Sequence, residues 1–225
     1  MTYLRTLVLD LDETLIHTFD REEHENLDLS KAPAHLLDQF YILDFYYSDT
    51  YEQEHIIGIR RPNLDYFLRS ARKLYDLIVV YTAAKYEYAR QVVRAIFDNS
   101  GHPPPDFIFT REDCVTTKDG LTKPLSYLLE LSPELAALTN VEHMVILDDQ
   151  HRNFLFNPEN GIEIAMYKPE PYLEALIEED LYLLAALEHL KKRSDKMKEY
   201  ANEARAQLRR KFETTRGHRR GLVYH

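Results

Sequence analysis

With 225 residues and 44% hydrophobic composition, the chain is long enough for one domain with a full core and too apolar for a disordered chain. No apolar run reaches the roughly 20 residues needed to span a bilayer, and the first apolar run is cut by Asp10 before it could serve as a signal peptide. A net charge of −10 argues against non-specific nucleic-acid binding by the body of the protein, while a single cysteine, Cys114, excludes an internal disulfide and fits an intracellular setting, cytoplasmic or nuclear.

Leu4 to Leu9 reads as a short buried strand that ends at Asp10. Residues 20–38 are polar and mixed and read as a loop with a helical turn. Residues 39–47 and 51–60 are rich in β-branched and aromatic side chains around Ser48-Asp49-Thr50, which predicts a β-hairpin. Pro62 suits the first turn of a helix carrying Leu64, Phe67, Leu68 and Leu74. Leu77–Tyr81 is a second buried strand, and a helix from Tyr86 to Asp98 stops near Asn99-Ser100-Gly101. After the stiff Pro103-Pro104-Pro105 connector, Phe107–Phe109 forms a short strand. Helical patterns cover 125–131 and 133–138, and strands cover 144–147 and 162–165. Strands alternating with helices predict an α/β fold around a parallel sheet.

Ligands of such sheets sit beyond the carboxyl ends of the strands. Here those ends carry Asp10 and Asp12, then Thr82, then Asp148 and Asp149. Taken singly, Asp148-Asp149, Thr82 and Lys123 have commoner structural explanations, as caps of a turn or helix and as a solvated lysine, whereas Asp10-x-Asp12-x-Thr14 already leans towards chemistry. Taken together, four carboxylates at one edge repel one another unless a cation joins them. A hard dication with oxygen ligands answers that, and Mg²⁺ suits a site that also takes phosphate. With charge so balanced, one carboxylate can attack phosphorus and a second, two residues on, can serve as acid and then base. Lys123 and Thr82 are available to hold phosphoryl oxygens.

The order Asp10-x-Asp12-x-Thr14, strand-Thr82, Lys123 and strand-Asp148-Asp149 resembles the haloacid-dehalogenase superfamily. Within it, Leu9–His17, Arg61-Pro62, Tyr81–Ala83, Arg111–Cys114, Lys123–Ser126, Leu147–Asp149 and Asn157–Asn160 resemble the FCP/SCP-type phosphatases, which act on the C-terminal domain of RNA polymerase II and related phosphoproteins. The resemblance spans about residues 4–190. It implies a Rossmann-like parallel sheet with helices on both faces, and an aspartyl-phosphate intermediate on Asp10. By the same resemblance Asp12 is the general acid/base with its backbone carbonyl on Mg²⁺, Asp10 and Asp149 are further metal ligands, and Asp148 binds the metal or orients Lys123. Thr82 and Lys123 resemble the phosphate-holding groups, and Arg111 a group at the phosphate edge. Thr14 is expected to hydrogen-bond within the first loop and to help bind substrate.

Neither interval between these motifs has room for a cap domain, so the site is expected to be open and to take a phosphorylated side chain of another protein. The aromatic hairpin at 39–60, with Tyr46 among its rings, stands where this branch builds substrate selectivity; cross-strand packing is the plainer explanation of those rings. A binding module of the same fold without activity, and a phosphatase of small molecules or nucleic-acid ends, are the competing readings.

Beyond the phosphatase domain at 1–190, residues 191–225 read as a basic helical extension. They carry 12 Lys/Arg against 4 Asp/Glu, a local +8 against −18 for the first 190 residues. Leu183, Leu187, Leu190, Met197, Ala201, Ala204 and Leu208 recur at helical spacing, with Ser194 in the one gap. The early part of this seam is expected to pack on the domain and the later part to lie along its own body or pair with a second chain; the basic charges read as a solvated helix face, with an acidic partner, a nuclear address or an anionic membrane surface as alternatives.

Overall fold

The computed structural model describes residues 3–98 and 101–218, and for Arg21, Ala201 and residues 204–218 the backbone alone. In chain order, β1 (Thr6–Leu9) is followed by β2 (Ile16–Phe19), α1 (Arg21–Asn26), α2 (Ala34–Leu37), β3 (Phe40–Tyr46), β4 (Gln53–Arg60) and α3 (Leu64–Leu74). Next come β5 (Leu77–Tyr81), α4 (Tyr86–Val93) ending in a wider π turn at Arg94–Asp98, then β6 (Phe107–Phe109), β7 (Val115–Thr117) and β8 (Gly120–Thr122). The chain closes with α5 (Leu125–Leu131), α6 (Pro133–Leu138), β9 (Met144–Asp148), β10 (Gly161–Glu163), α7 (Leu173–Leu176) and α8 (Tyr182–His218). The helix stop expected at Asn99-Ser100 lies outside the described residues.

Five parallel strands in the order β10-β9-β1-β5-β6 form the central sheet. Its strands are short apolar runs because both faces are covered. Leu7, Leu9, Ile78, Val80, Val145 and Leu147 face one layer, packed by α3, α4 and α8. Val8, Val79, Tyr81, Met144 and Ile146 face the other, packed by α5 and α6. The alternation along each strand sorts its side chains between the two layers.

The hairpin expected at 39–60 is present as β3 and β4, and it is larger than that. β2 pairs with the far side of β4, making a three-stranded antiparallel sheet in the order β2-β4-β3. The hairpin β7–β8 is a further addition to the expected elements. The last strand begins at Gly161, one residue before the expectation, and ends at Glu163.

α8 continues without a break past residue 190. Leu183 and Leu190 are fully buried against the core, Leu187 and Met197 partly so. Ser194, the odd member of the seam, is fully buried too: its hydroxyl donates to Leu74 O (2.8 Å) and accepts from Arg5 Nη1 (2.9 Å). The seam thus packs on its own body as far as Met197. The side chains of Ala201, Ala204 and Leu208, and residues 219–225, lie outside the described residues.

Candidate active site

The loop after β1 is pinned from below before it presents any chemistry. Leu11 and Leu15 are fully buried, and Leu15 N and Ile16 N both donate to Leu11 O (2.8 and 3.2 Å). Glu13 takes a left-handed backbone (φ 60), which a non-glycine residue holds only when its surroundings fix it. Here they do: Glu13 N donates to Ile16 O, Tyr167 N donates to Glu13 O, and the Glu13 carboxylate meets His17 Nδ1 at 3.0 Å. Arg61, wholly buried, donates to Thr14 O (3.0 Å), pairs with Asp180 (2.9 Å), and lies between the rings of Tyr167 and Tyr182.

Above this base, the strand ends gather the charged groups. Lys123, buried to 3% exposure, lies 2.5 Å from Asp10 and 2.7 Å from Asp148. Burial disfavours its ammonium, yet the two carboxylates outweigh that and hold its pKa above the ordinary lysine value. Asp148 has no exposed surface and is fully engaged, accepting also from Gln150 N and Asn153 Nδ2 (both 2.8 Å). Part of the repulsion among the carboxylates is therefore answered by Lys123 rather than by a metal.

Asp10, Asp148 and Asp149 each offer an oxygen within 4.8 Å of the others, the hard-oxygen donor set that Mg²⁺ accepts. Burial raises the pKa of Asp10, against Lys123, and that of Asp149, helped by Asp148. The Asp12 carboxylate stands outside this trio. Its Oδ1 accepts from Tyr88 Oη and its Oδ2 lies 3.5 Å from Thr82 Oγ1. Burial pushes the Asp12 carboxyl up, against the pull of Tyr88; burial likewise pushes the Tyr88 phenol up, so that it keeps its hydrogen.

These groups floor an open cleft of about 490 Å³. Asp10, Asp12, Thr82, Lys123, Arg111 and Asp149 all line it, so most of the residues singled out in the sequence meet in one place. Three stand elsewhere. Asp148 lies behind Lys123. Thr14 is fully buried: its hydroxyl accepts from Asp149 N (3.1 Å) and has one hydrogen to offer Asp149 Oδ1 (3.2 Å) or Asp10 Oδ2 (3.4 Å). The structure thus corrects its assignment to substrate binding, because a group without exposed surface ties the two motifs together from behind. Tyr46 is 61% exposed and does not line the cleft; its neighbour Tyr47 does. Successive residues of a strand point to opposite sides, and the inward side is that of Phe45 and Tyr47.

Arg111 sits at the rim, anchored by Nε to Ala83 O (2.7 Å). Lys85 pairs with Asp49 (2.8 Å) above the Tyr47 ring, fastening the hairpin tip to the start of α4. Ile56, Thr18 and Tyr88 complete the wall beside Tyr47, and Gln150, Arg152 and Leu121 line the cleft as well. None of these last stands out in the sequence, where Tyr88 simply falls within the helix expected from Tyr86 to Asp98. The Cys114 thiol, pushed up to about 11 chiefly by burial, is no activated nucleophile.

A parallel α/β sheet with this set of acids, lysine and threonine beyond its carboxyl edge is a haloacid-dehalogenase-type fold, and the solved structures agree. Fcp1, described as an essential RNA polymerase II CTD phosphatase, matches with a TM-score of 0.58 at 22% identity, over 86% of this chain and 51% of the other. A fission yeast Fcp1 variant bound to beryllium fluoride matches with a TM-score of 0.56 at 21% identity, over 92% and 55%. The profile of the NLI interacting factor-like phosphatases matches residues 5–202, and the chain belongs to that family. Among relatives, a probable C-terminal domain small phosphatase of Dictyostelium discoideum is 33% identical over 161 residues, 72% of this chain and 44% of that protein. Nuclear envelope morphology protein 1 of Saccharomyces cerevisiae is 29% identical over 180 residues, 74% and 35%. The chain thus spans less than half the length of these two relatives. Among the described residues no helix is long and apolar enough to cross a membrane.

Proposed function

We infer that the chain is a Mg²⁺-dependent phosphoprotein phosphatase working through a phosphoryl group carried on Asp10. The observation that carries this reading is that Asp10 and Asp12 share one open cleft, with Asp10 held against Lys123 in a trio of acids fit for a metal. Asp10, Asp148 and Asp149 would hold Mg²⁺, with the Asp12 backbone carbonyl, and the ion would neutralise the phosphate oxygens.

In the first step an Asp10 carboxylate oxygen attacks phosphorus and the ester P–O bond breaks. The Asp12 carboxyl gives its proton to the departing ester oxygen, releasing the alcohol. In the second step a water oxygen attacks the same phosphorus as its proton passes to Asp12. The bond to Asp10 breaks, and inorganic phosphate and the free carboxylate are regenerated. Lys123 and Thr82 steady the phosphoryl oxygens while charge builds on them.

The open cleft favours a protruding phosphorylated side chain over an enclosed small molecule, and Tyr47 with Ile56 offers an apolar wall for a neighbouring side chain of the substrate. An intracellular substrate fits the name of the yeast relative, a nuclear envelope morphology protein. The test is phosphate release from matched phosphoserine and phosphotyrosine peptides with Mg²⁺, against Asp10→Asn. Release above that blank is expected; none, from folded protein, would overturn the reading.

A further inference from the structure

A row of hydroxyls that neither step above uses leads to Asp12 from the small sheet. Tyr88, on α4, donates to Asp12 Oδ1. Thr18 Oγ1, on β2, lies 2.6 Å from Tyr88 Oη, and Tyr41 Oη, on β3, lies 3.4 Å from Thr18 Oγ1. A hydroxyl has one hydrogen to give. Since that of Tyr88 goes to the carboxylate, Thr18 must donate to Tyr88 and Tyr41 to Thr18. The chain therefore runs one way, Tyr41 to Thr18 to Tyr88 to Asp12, and each bond polarises the next.

The backbone is shaped to allow it. β4 separates β2 from β3, and both Thr18 and Tyr41 are in register with Gly58 on β4. A Cβ at Gly58 would run into the tip of the Tyr41 ring. Only a residue without one lets that ring cross β4 and reach Thr18.

The two oxygens of Asp12 are consequently unlike. Oδ1 is held by the phenol, whereas the side chain that meets Oδ2 among the described residues is Thr82, whose Oγ1 lies at a long 3.5 Å and itself accepts from Ala84 N. We propose that Tyr88, backed by Thr18 and Tyr41, is a positioning residue that occupies Asp12 Oδ1 and so keeps the transferable proton on Oδ2, turned to the leaving group. The small sheet, on this view, aims the acid as well as walling the cleft. The proposal rests on the phosphatase reading and adds to it a residue that acts through Asp12.

Leaving-group dependence tests it. A serine alkoxide is a strong base and needs the proton as it departs; nitrophenolate departs without one. The quantity to measure is kcat/KM for a phosphoserine peptide and for p-nitrophenyl phosphate, in wild type, Tyr88→Phe, Thr18→Val and Tyr41→Phe. In Tyr88→Phe the ratio of the two values, peptide over nitrophenyl ester, is expected to fall roughly tenfold, a fraction of what a general acid contributes in full. Thr18→Val and Tyr41→Phe should lower it less, in that order, and they carry the test if Tyr88→Phe does not fold. An unchanged ratio in the folded variants, whatever the common loss, would reduce Tyr88 to packing and overturn the proposal alone. If wild type hydrolyses neither compound better than Asp10→Asn, the phosphatase reading fails and this one with it.

Discussion

The two sheets of this molecule treat polar groups in opposite ways. The five-stranded parallel sheet is apolar along its length and spends its polarity at one edge, where Asp10, Thr82 and Asp148 follow or end β1, β5 and β9. The three-stranded antiparallel sheet spreads polar and aromatic groups along its strands, Thr18 and Tyr41 among them, with the aliphatic Ile56 facing the cleft and Tyr47 just beyond β3. The first supplies reacting groups fixed by a buried core. The second supplies a wall and an orientation, on a platform that can change without unseating the carboxylates. On the proposed function, the carboxylates and the wall of the cleft thus come from different sheets.

Breaking the first sheet's contribution should give the largest effects. Asp10→Asn removes the oxygen nucleophile; turnover of any phosphoester is expected to fall by at least about a thousandfold with the far-UV circular dichroism unchanged. Full activity would show that phosphorus is attacked by something else. Next in size is Lys123→Met, which leaves Asp10 and Asp148 buried without the cation between them. Removing one partner of such a cluster costs about 3–5 kcal/mol, readable as a fall in the urea midpoint. Because the missing charge can be replaced, added Mg²⁺ should raise the Tm of this variant by more than it raises that of wild type. An equal Mg²⁺ effect in both would mean that ammonium and metal do not share the same carboxylates.

How much of this was legible in the sequence follows the same division. β5 and β6 matched their expected bounds, and β1 and β9 nearly so, because uninterrupted apolar runs have one explanation in an α/β chain. β2, β7 and β8 escaped notice. They are three or four residues long: Ile16-His17-Thr18-Phe19 becomes a strand only when the distant β4 pairs with it, and Val115-Thr116-Thr117 only in a short hairpin with the adjoining Gly120–Thr122. The acids and Lys123 were identifiable as a series, but not the bond from Lys123 to Asp10, which spans the fold. Tyr46 and Tyr47 are indistinguishable without the register, which a slip of one residue reverses. Arg61 was noticed only as part of a motif; its place under the loop depends on Asp180, 119 residues away.

A smaller effect separates proton from metal in the central site. Burial raises the carboxyls of Asp10, Asp12 and Asp149. The metal-free folded protein therefore holds protons that the unfolded chain releases. That contribution to stability is complete below the ordinary carboxylate pKa of about 4 and is lost as pH rises through the raised values. Mg²⁺ needs the deprotonated ligands, so its stabilisation must grow as the protons leave. The rise in Tm on adding Mg²⁺ is expected to be larger at about pH 7.5 than at about pH 5. A rise independent of pH would place the ion away from Asp10 and Asp149.

The smallest expected effect falls on the second sheet and sharpens the comparison most. Tyr46 and Tyr47 are adjacent and chemically identical, and only the pleat distinguishes them: one is 61% exposed, the other lines the cleft beneath Lys85. Tyr47→Ala removes an aromatic face and the cation's seat, and should raise KM for a phosphopeptide by about three- to tenfold, the scale of one partly exposed aromatic contact. Its kcat should hold, since neither carboxylate is touched. Tyr46→Ala should leave both constants within about twofold, as surface changes do. If the two variants behaved alike, or if Tyr47→Ala lowered kcat and left KM, the small sheet would not be a selectivity wall. Tyr47 would then act on the reacting groups, and the division between carboxylates and wall would not hold.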